Sequence, residues 1–156
     1  MSGRWQSRGT RLSWTLAPKG GGLQLNQLLT WKTMIGQLQS VERDASVGYG
    51  RKRTVRRPSQ LAVIPVGYVD GYSRALGNRV LTLIRGRSAP IGARVCMNIL
   101  VADVTDIPEV SIGDEVVLIG QLGSDEIEVE ELATLSETIN YEFLTQLSPT
   151  IPRVVV

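Results

Sequence analysis

The chain has 156 residues, with 17 Lys and Arg against 15 Asp and Glu, one Cys and no His. That length suits a single domain with a sizeable core, and 42% hydrophobic with 21% charged residues excludes a disordered chain. One cysteine excludes an internal disulfide framework and a Cys-based zinc site, and the lack of histidine excludes Ser-His-Asp triads, Cys-His pairs and HExxH metal sites.

Residues 1–28 carry Gly9, Pro18 and Gly20-Gly21-Gly22 and read as an irregular lead-in or linker segment. From Leu29 to Val156 the texture is that of a folded β domain. Leu29–Val41 alternates apolar with polar residues over much of its length, the pattern of a half-buried strand. Gln60–Tyr68, Val80–Arg85, Ile91–Val104 and Glu115–Ile119 follow as further predicted strands. Asp70-Gly71, Gly77-Asn78, Arg85-Gly86-Arg87 and Ile112-Gly113-Asp114 supply turns between them. Val129–Ser136 has helical spacing, with Asp125, Glu126 and Glu128 near its N-terminal dipole. Thr138–Leu147 reads as a further helical turn or two before Pro149, and Pro152–Val156 as an edge strand. The predicted fold is mainly β: an antiparallel, Greek-key-like barrel or sandwich with one or two short helices near the C-terminus.

The net charge of +2 hides a split. Residues 1–57 hold 11 basic and 2 acidic side chains, whereas 58–156 hold 6 basic and 13 acidic. Such a field suits orientation against a partner or a second copy. Arg51-Lys52-Arg53-Thr54-Val55-Arg56-Arg57 is its densest point, open to three readings: a solvated loop, an anion-facing loop or a nucleic-acid patch. The longest apolar run, Leu61–Val66, falls far short of the roughly 18 residues of a membrane helix, and no secretory signal pattern opens the chain. The five basic and no acidic residues of 1–41 also fit an organellar transit peptide; the default compartment is the cytoplasm.

Proton chemistry here falls to Tyr, Lys, Cys or carboxylates. Each tyrosine stands beside a glycine or an asparagine: Tyr49 between Gly48 and Gly50, Tyr68 after Gly67, Tyr72 after Gly71, Tyr141 after Asn140. Two readings are open for each: a phenol at a rim, or a half-buried aromatic with its hydroxyl in water. Arg51, Lys52 and Arg53 follow Tyr49 closely enough to lower its pKa. Cys96, in the predicted strand Ile91–Asn98, reads as an inert core thiol, with Arg94 on its face and Met97 on the other. Asp70 reads as a turn former, and Asp125–Glu131 as a solvated helix start. No metal-ligand cluster is expected.

Val47-Gly-Tyr-Gly50, Ile64-Pro-Val-Gly-Tyr-Val-Asp-Gly-Tyr-Ser-Arg-Ala-Leu76, Arg85-Gly-Arg-Ser-Ala-Pro90 and Ala93-Arg-Val-Cys-Met97 resemble the carboxy-terminal domain of alanine racemase. So do Val104-Thr-Asp-Ile-Pro108, Ile112-Gly-Asp-Glu-Val-Val-Leu-Ile-Gly120, Thr138-Ile-Asn-Tyr-Glu142 and Ile151-Pro-Arg-Val154, in the family's order and spacing. The resemblance implies a pyridoxal phosphate enzyme interconverting L- and D-alanine, whose cofactor is held by a lysine of an amino-terminal (β/α)8 barrel. The β domain packs on the barrel of a second subunit, giving a homo-oligomer. By that resemblance Tyr49 is the second catalytic acid/base, reaching the partner subunit's site. Met97 contacts the substrate carboxylate through its main chain, and Tyr141 binds the cofactor phosphate. Tyr68, Arg74, Arg94 and Tyr141 line a narrow access corridor.

The chain departs from the family in two ways. It carries no barrel, and none of Lys19, Lys32 and Lys52 lies in a sequence like the cofactor-lysine motif. It is therefore expected to be a separated or truncated second domain, inactive alone, without covalently bound cofactor, and dimeric or larger through its uncovered apolar face. Asn98 stands where the family more often has Asp, so the corridor loses one charge and keeps an acceptor oxygen. An alternative is a stand-alone small β-barrel module binding single-stranded nucleic acid or a protein. Its basic and aromatic residues are not interleaved as stacking platforms require, which counts against nucleic acid.

Overall fold

A computed structural model describes residues 4–7, 27–47 and 53–155. The predicted strand Leu29–Val41 is two strands, β2 (Leu29–Met34) and β3 (Gln37–Val41); β1 (Arg4–Ser7) precedes them. The break falls at Ile35-Gly36, whose backbone bonds leave the ladder: the Ile35 N–H donates to Asp114 O, and the Gly36 N–H to Val63 O. Trp31 and Thr33 point into the core from β2 at the two-residue period of a strand.

A short hairpin, β4 (Ser46–Val47) and β5 (Arg53–Thr54), leads to β6 (Ser59–Ile64). β6 ends before Pro65, which has no N–H to offer a ladder, and so is shorter than Gln60–Tyr68. Two 3-10 turns, Tyr68–Asp70 and Arg74–Leu76, occupy the next stretch. Then come β7 (Leu81–Ile84) and β8 (Arg87–Pro90), a hairpin turning at Arg85-Gly86, followed by β9 (Leu100–Asp103), β10 (Glu115–Leu122) and β11 (Asp125–Ile127). Helices α1 (Val129–Leu135) and α2 (Asn140–Thr145) precede the edge strand β12 (Arg153–Val155).

Two predicted boundaries need correcting. Ile91–Val104 is not one strand: only Leu100–Asp103 enters a ladder, besides the single bridge Ile91–Ala102. The backbone of 94–99 turns instead toward the 67–77 segment. Asp125 and Glu126 lie in β11, so the acids in the first turn of α1 are Glu130 and Glu131.

The larger sheet runs β12-β1-β2-β10-β7-β8, with β11 also pairing β10; the smaller runs β3-β6-β9. Every pairing is antiparallel except β12 on β1. The two sheets meet where β2 continues into β3, and again at the Ile91–Ala102 bridge. This barrel-like arrangement of mainly β structure, with two short helices near the C-terminus, matches the predicted fold class.

The core fills the space between the sheets and under the helices. Val116–Ile119 of β10 are all buried, because β10 is covered on both faces. Trp31 and Tyr72 meet edge to face at 5.7 Å, and Phe143 brings α2 into the same cluster. Each fully buried Leu, Ile or Phe contributes about 1.5–3 kcal/mol. Thr82 keeps its hydroxyl satisfied in the interior by donating to Val117 O at 2.8 Å. Gln27 closes the start of α1 from 102 residues upstream: its Oε1 accepts the Val129 N–H at 2.8 Å, and its Nε2 donates to Ile127 O. Glu128, the residue before α1, makes no side-chain cap, so Gln27 takes that task.

Candidate functional site

The segment after β6 carries most of the predicted site. Gly67 is buried against the 96–97 backbone, where an added Cβ would lie 2.2 Å from Met97 O and 2.3 Å from Cys96 O. Only glycine fits so close an approach. The approach lets the Tyr68 N–H donate to Cys96 O at 3.0 Å and the Val69 N–H donate to Met97 O at 3.1 Å. The Cys96 N–H in turn donates to Ile99 O, closing the 96–99 loop.

The turn closes on itself through Asp70. Its Oδ2 accepts the Gly67 N–H at 2.9 Å, and its own N–H donates to Gly67 O at 3.1 Å. Gly71 follows in the left-handed region, with φ +96°. There it packs on the end of α2, a Cβ falling 2.4 Å from Gln146 O. The Ser148 N–H donates to Asp70 O at 3.0 Å on that same side. The second 3-10 turn starts at Ser73, whose Oγ accepts the Ala75 N–H, and ends at Gly77, packed against the backbone of Arg94.

These contacts bring Tyr68, Arg74, Arg94 and Met97 onto neighbouring stretches of surface. Tyr68 is 45% exposed and Met97 51%; Val69 and Ile99 extend the patch with further exposed apolar surface. Arg74 and Arg94 are both exposed beside it. Tyr141 stands half-buried in the first turn of α2, with its N–H donating to Asn140 Oδ1, while the other end of that helix packs on Gly71. Tyr49 lies outside the described residues, as do Lys19, Arg51 and Lys52.

The other tyrosine differs from expectation. Tyr72 is wholly buried instead of half-buried, since the left-handed Gly71 sends the chain inward beneath Trp31. Burial, with Glu131 adding a lesser repulsion, pushes its phenol pKa well up, so it holds its proton and carries no acid/base chemistry. Cys96 is half-buried, not a core thiol; it donates weakly to Arg94 O at 3.6 Å. Because 91–99 is not a strand, the predicted alternation fails: Arg94 and Met97 are both exposed.

Within the basic stretch, Arg57 is paired with Asp106, which raises its pKa, and the adjacent carboxylate offsets its attraction for another anion. Among the described residues no three His, Cys, Asp or Glu side chains converge to hold a metal ion. A hollow lined by Ser88, Glu126, Glu131 and Leu132 lies between β7–β8 and α1, and none of Tyr68, Arg74, Arg94, Met97 and Tyr141 lines it.

The family model described as alanine racemase, C-terminal domain, matches residues 28–155. The chain belongs to this family. Alanine racemase of Halothermothrix orenii is 46% identical over 131 residues, covering 84% of this chain and 35% of that relative. A crystal structure of alanine racemase from Bacillus anthracis with bound L-Ala-P superposes with a TM-score of 0.80 at 30% identity, over 86% of this chain and 34% of that one. Alanine racemase from Bartonella henselae, with covalently bound pyridoxal phosphate, gives 0.77 at 31% identity, over 83% of this chain and 35% of that one. The chain spans about a third of the length of these alanine racemases.

The one described lysine does not fit a covalently held cofactor of that kind. Lys32 lies on β2, mostly covered, with its Nζ 2.9 Å from Glu115 Oε1. Its amine is engaged by that carboxylate and is not free to act as a nucleophile. Asp70 forms a turn, as expected, but two features of it were not read from the sequence: its carboxylate closes the turn on Gly67, and Gly67 presses on the 96–97 backbone. Only the first had a signal there, in Gly67-Tyr-Val-Asp70, where an acid three residues after a turn start has capping-box spacing.

Proposed function

We propose that this chain is the carboxy-terminal domain of an alanine racemase, working in the complete enzyme and inactive alone. In that enzyme pyridoxal phosphate, held by a lysine of an amino-terminal barrel, would supply the electron sink for charge at Cα. Inverting Cα requires a proton to leave one face and another to return on the opposite face, so two groups are needed. Tyr49 is the group this chain gives, to the active site of a second subunit in a cytoplasmic homodimer. Tyr141 hydrogen-bonds the cofactor phosphate. Tyr68, Arg74, Arg94 and Tyr141 wall a corridor of phenols and cations that favours a small zwitterion.

The observation that supports this reading is the docking of Tyr68 and Val69 on Cys96 and Met97 through backbone bonds, beside an exposed apolar patch. A substrate carboxylate needs a donor. The Met97 carbonyl is already taken by the Val69 N–H, and among the described residues the Met97 N–H donates to none. That N–H is the group we assign to the carboxylate. Tyr68, Val69, Met97 and Ile99 form an exposed apolar patch that favours association with a covering partner.

The test is to mix the chain with a separately produced alanine racemase barrel domain and measure conversion of L- to D-alanine. Activity is expected only in the mixture, and Tyr49→Phe is expected to reduce it by about 100-fold or more. Activity of the chain alone, with pyridoxal phosphate retained after desalting, would overturn the assignment. So would a mixture that forms a complex yet remains inactive.

A further inference from the structure

We propose that Asp70 is the positioning residue of this site, setting Tyr68 and Met97 relative to each other and to α2. The proposal rests on the reading of the site given above. Tyr68 and Met97 are both about half exposed, so side-chain packing does little to fix them. What fixes them is backbone: the Tyr68 and Val69 amides donate to the Cys96 and Met97 carbonyls. That pairing holds only while the 67–72 turn keeps its shape.

Asp70 bonds in three directions at once. Its carboxylate accepts the Gly67 N–H, its N–H returns to Gly67 O, and its carbonyl accepts the Ser148 N–H beyond α2. The first two close the turn whose amides dock on 96–97. The third ties the same turn to the helix that carries Tyr141. Gly67 is buried, so without the carboxylate its N–H loses a charge-assisted partner where water does not readily replace it. The turn then opens, and the Tyr68 and Val69 amides leave their acceptors with it. Of the three contacts, only the bond to the carboxylate belongs to the side chain, and it is the one that a substitution at position 70 removes.

Asp70→Ala removes the acceptor, and Asp70→Asn keeps one oxygen in its place. In hydrogen exchange on the full chain, Asp70→Ala is expected to speed the Tyr68 and Val69 amides about tenfold or more, leaving β10 and β2 amides unchanged. Asp70→Asn is expected to restore them to within about threefold. In a chain labelled with fluorotyrosine, with Tyr68 identified through Tyr68→Phe, the Tyr68 resonance should shift or broaden in Asp70→Ala and return in Asp70→Asn. Unchanged exchange and an unmoved Tyr68 resonance in Asp70→Ala would overturn the proposal. Should Asp70→Ala fail to fold, the unaltered chain decides. The Gly67, Tyr68, Val69 and Ser148 amides must open together at one rate, and separate rates overturn the proposal.

The link to catalysis is read in the mixture with the barrel domain. There Asp70→Ala is expected to raise KM about tenfold with kcat within about threefold, and Asp70→Asn to recover both. A kcat and KM that both stay at the unaltered values would overturn the positioning role. If the unaltered mixture has no activity, the racemase reading fails, while exchange and the Tyr68 resonance still decide whether Asp70 fixes the turn.

Discussion

The β2-β10-β7 sheet and the loop pair 67–77 with 94–99 lie in one domain but are held by different means. In the sheet, apolar side chains do the fixing: Trp31, Leu83 and Val116–Ile119 are buried, and the ladder follows from their alternation and runs. In the loop pair, backbone bonds and glycines do it: Gly67 gives close approach, Gly71 a left-handed turn, and Asp70 closes the link. Stability therefore resides in one region and the arrangement of candidate site groups in the other. Substitutions that lower the first should leave the second intact until the whole chain unfolds, and the converse should also hold.

The largest expected effect is in the sheet. Leu118 is fully buried on β10, and Leu118→Ala is expected to cost about 2–5 kcal/mol, read as a lower urea midpoint with an unchanged slope. Exchange of the Tyr68 amide under native conditions should stay put, since no 67–77 residue needs Leu118 to form its backbone bonds. Gly67→Ala comes next and inverts that pattern. A Cβ there meets two carbonyl oxygens, not a flexible side chain, so the 67–77 and 94–99 backbones must part. The cost is about 1–3 kcal/mol, with exchange rising at Tyr68 and Val69 well before the β10 amides. A uniform rise in both regions would erase the distinction between them. Gln27→Ala is smaller: loss of the cap on Val129 is expected to cost about 0.5–2 kcal/mol and to fray α1 in exchange.

The same division decides how much was legible in the sequence. The strands and helices were legible where periodicity, in β2 and α1, or an apolar run, in β7 and β10, records side-chain burial. The split at Ile35-Gly36 and the loss of 92–98 from the ladder were not, because the first depends on the distant carbonyls of Asp114 and Val63 and the second on the distant amides of Tyr68 and Val69. The candidate residues Tyr68, Arg74, Arg94, Met97 and Tyr141 came from resemblance alone. Spacing carries no record that Gly67 presses on Met97, nor that Asp70 reaches Ser148. Gln27 shows the same limit, since a cap supplied from 102 residues away has no local signature.

Tyr72 is the smallest test at neutral pH and the one that probes the boundary between the regions. It follows directly on the Asp70 turn, yet its ring belongs to the core, and among the described residues its hydroxyl has no hydrogen-bond partner. Removing a buried hydroxyl that makes no bond loses nothing, so Tyr72→Phe is expected to be neutral or stabilising, by less than about 1 kcal/mol. Alkaline pH separates the two proteins. Burial raises the folded pKa of Tyr72 above its unfolded value of 10.0. The phenol's contribution is therefore fully present below pH about 10 and is lost as pH rises, because the unfolded chain releases that proton first. The difference between the unaltered chain and Tyr72→Phe should grow above that pH by up to about 1.4 kcal/mol per unit, read as diverging urea midpoints. Parallel midpoints across that range would mean that the hydroxyl reaches water or a partner. The core would then open at the very point where the Asp70 turn joins it.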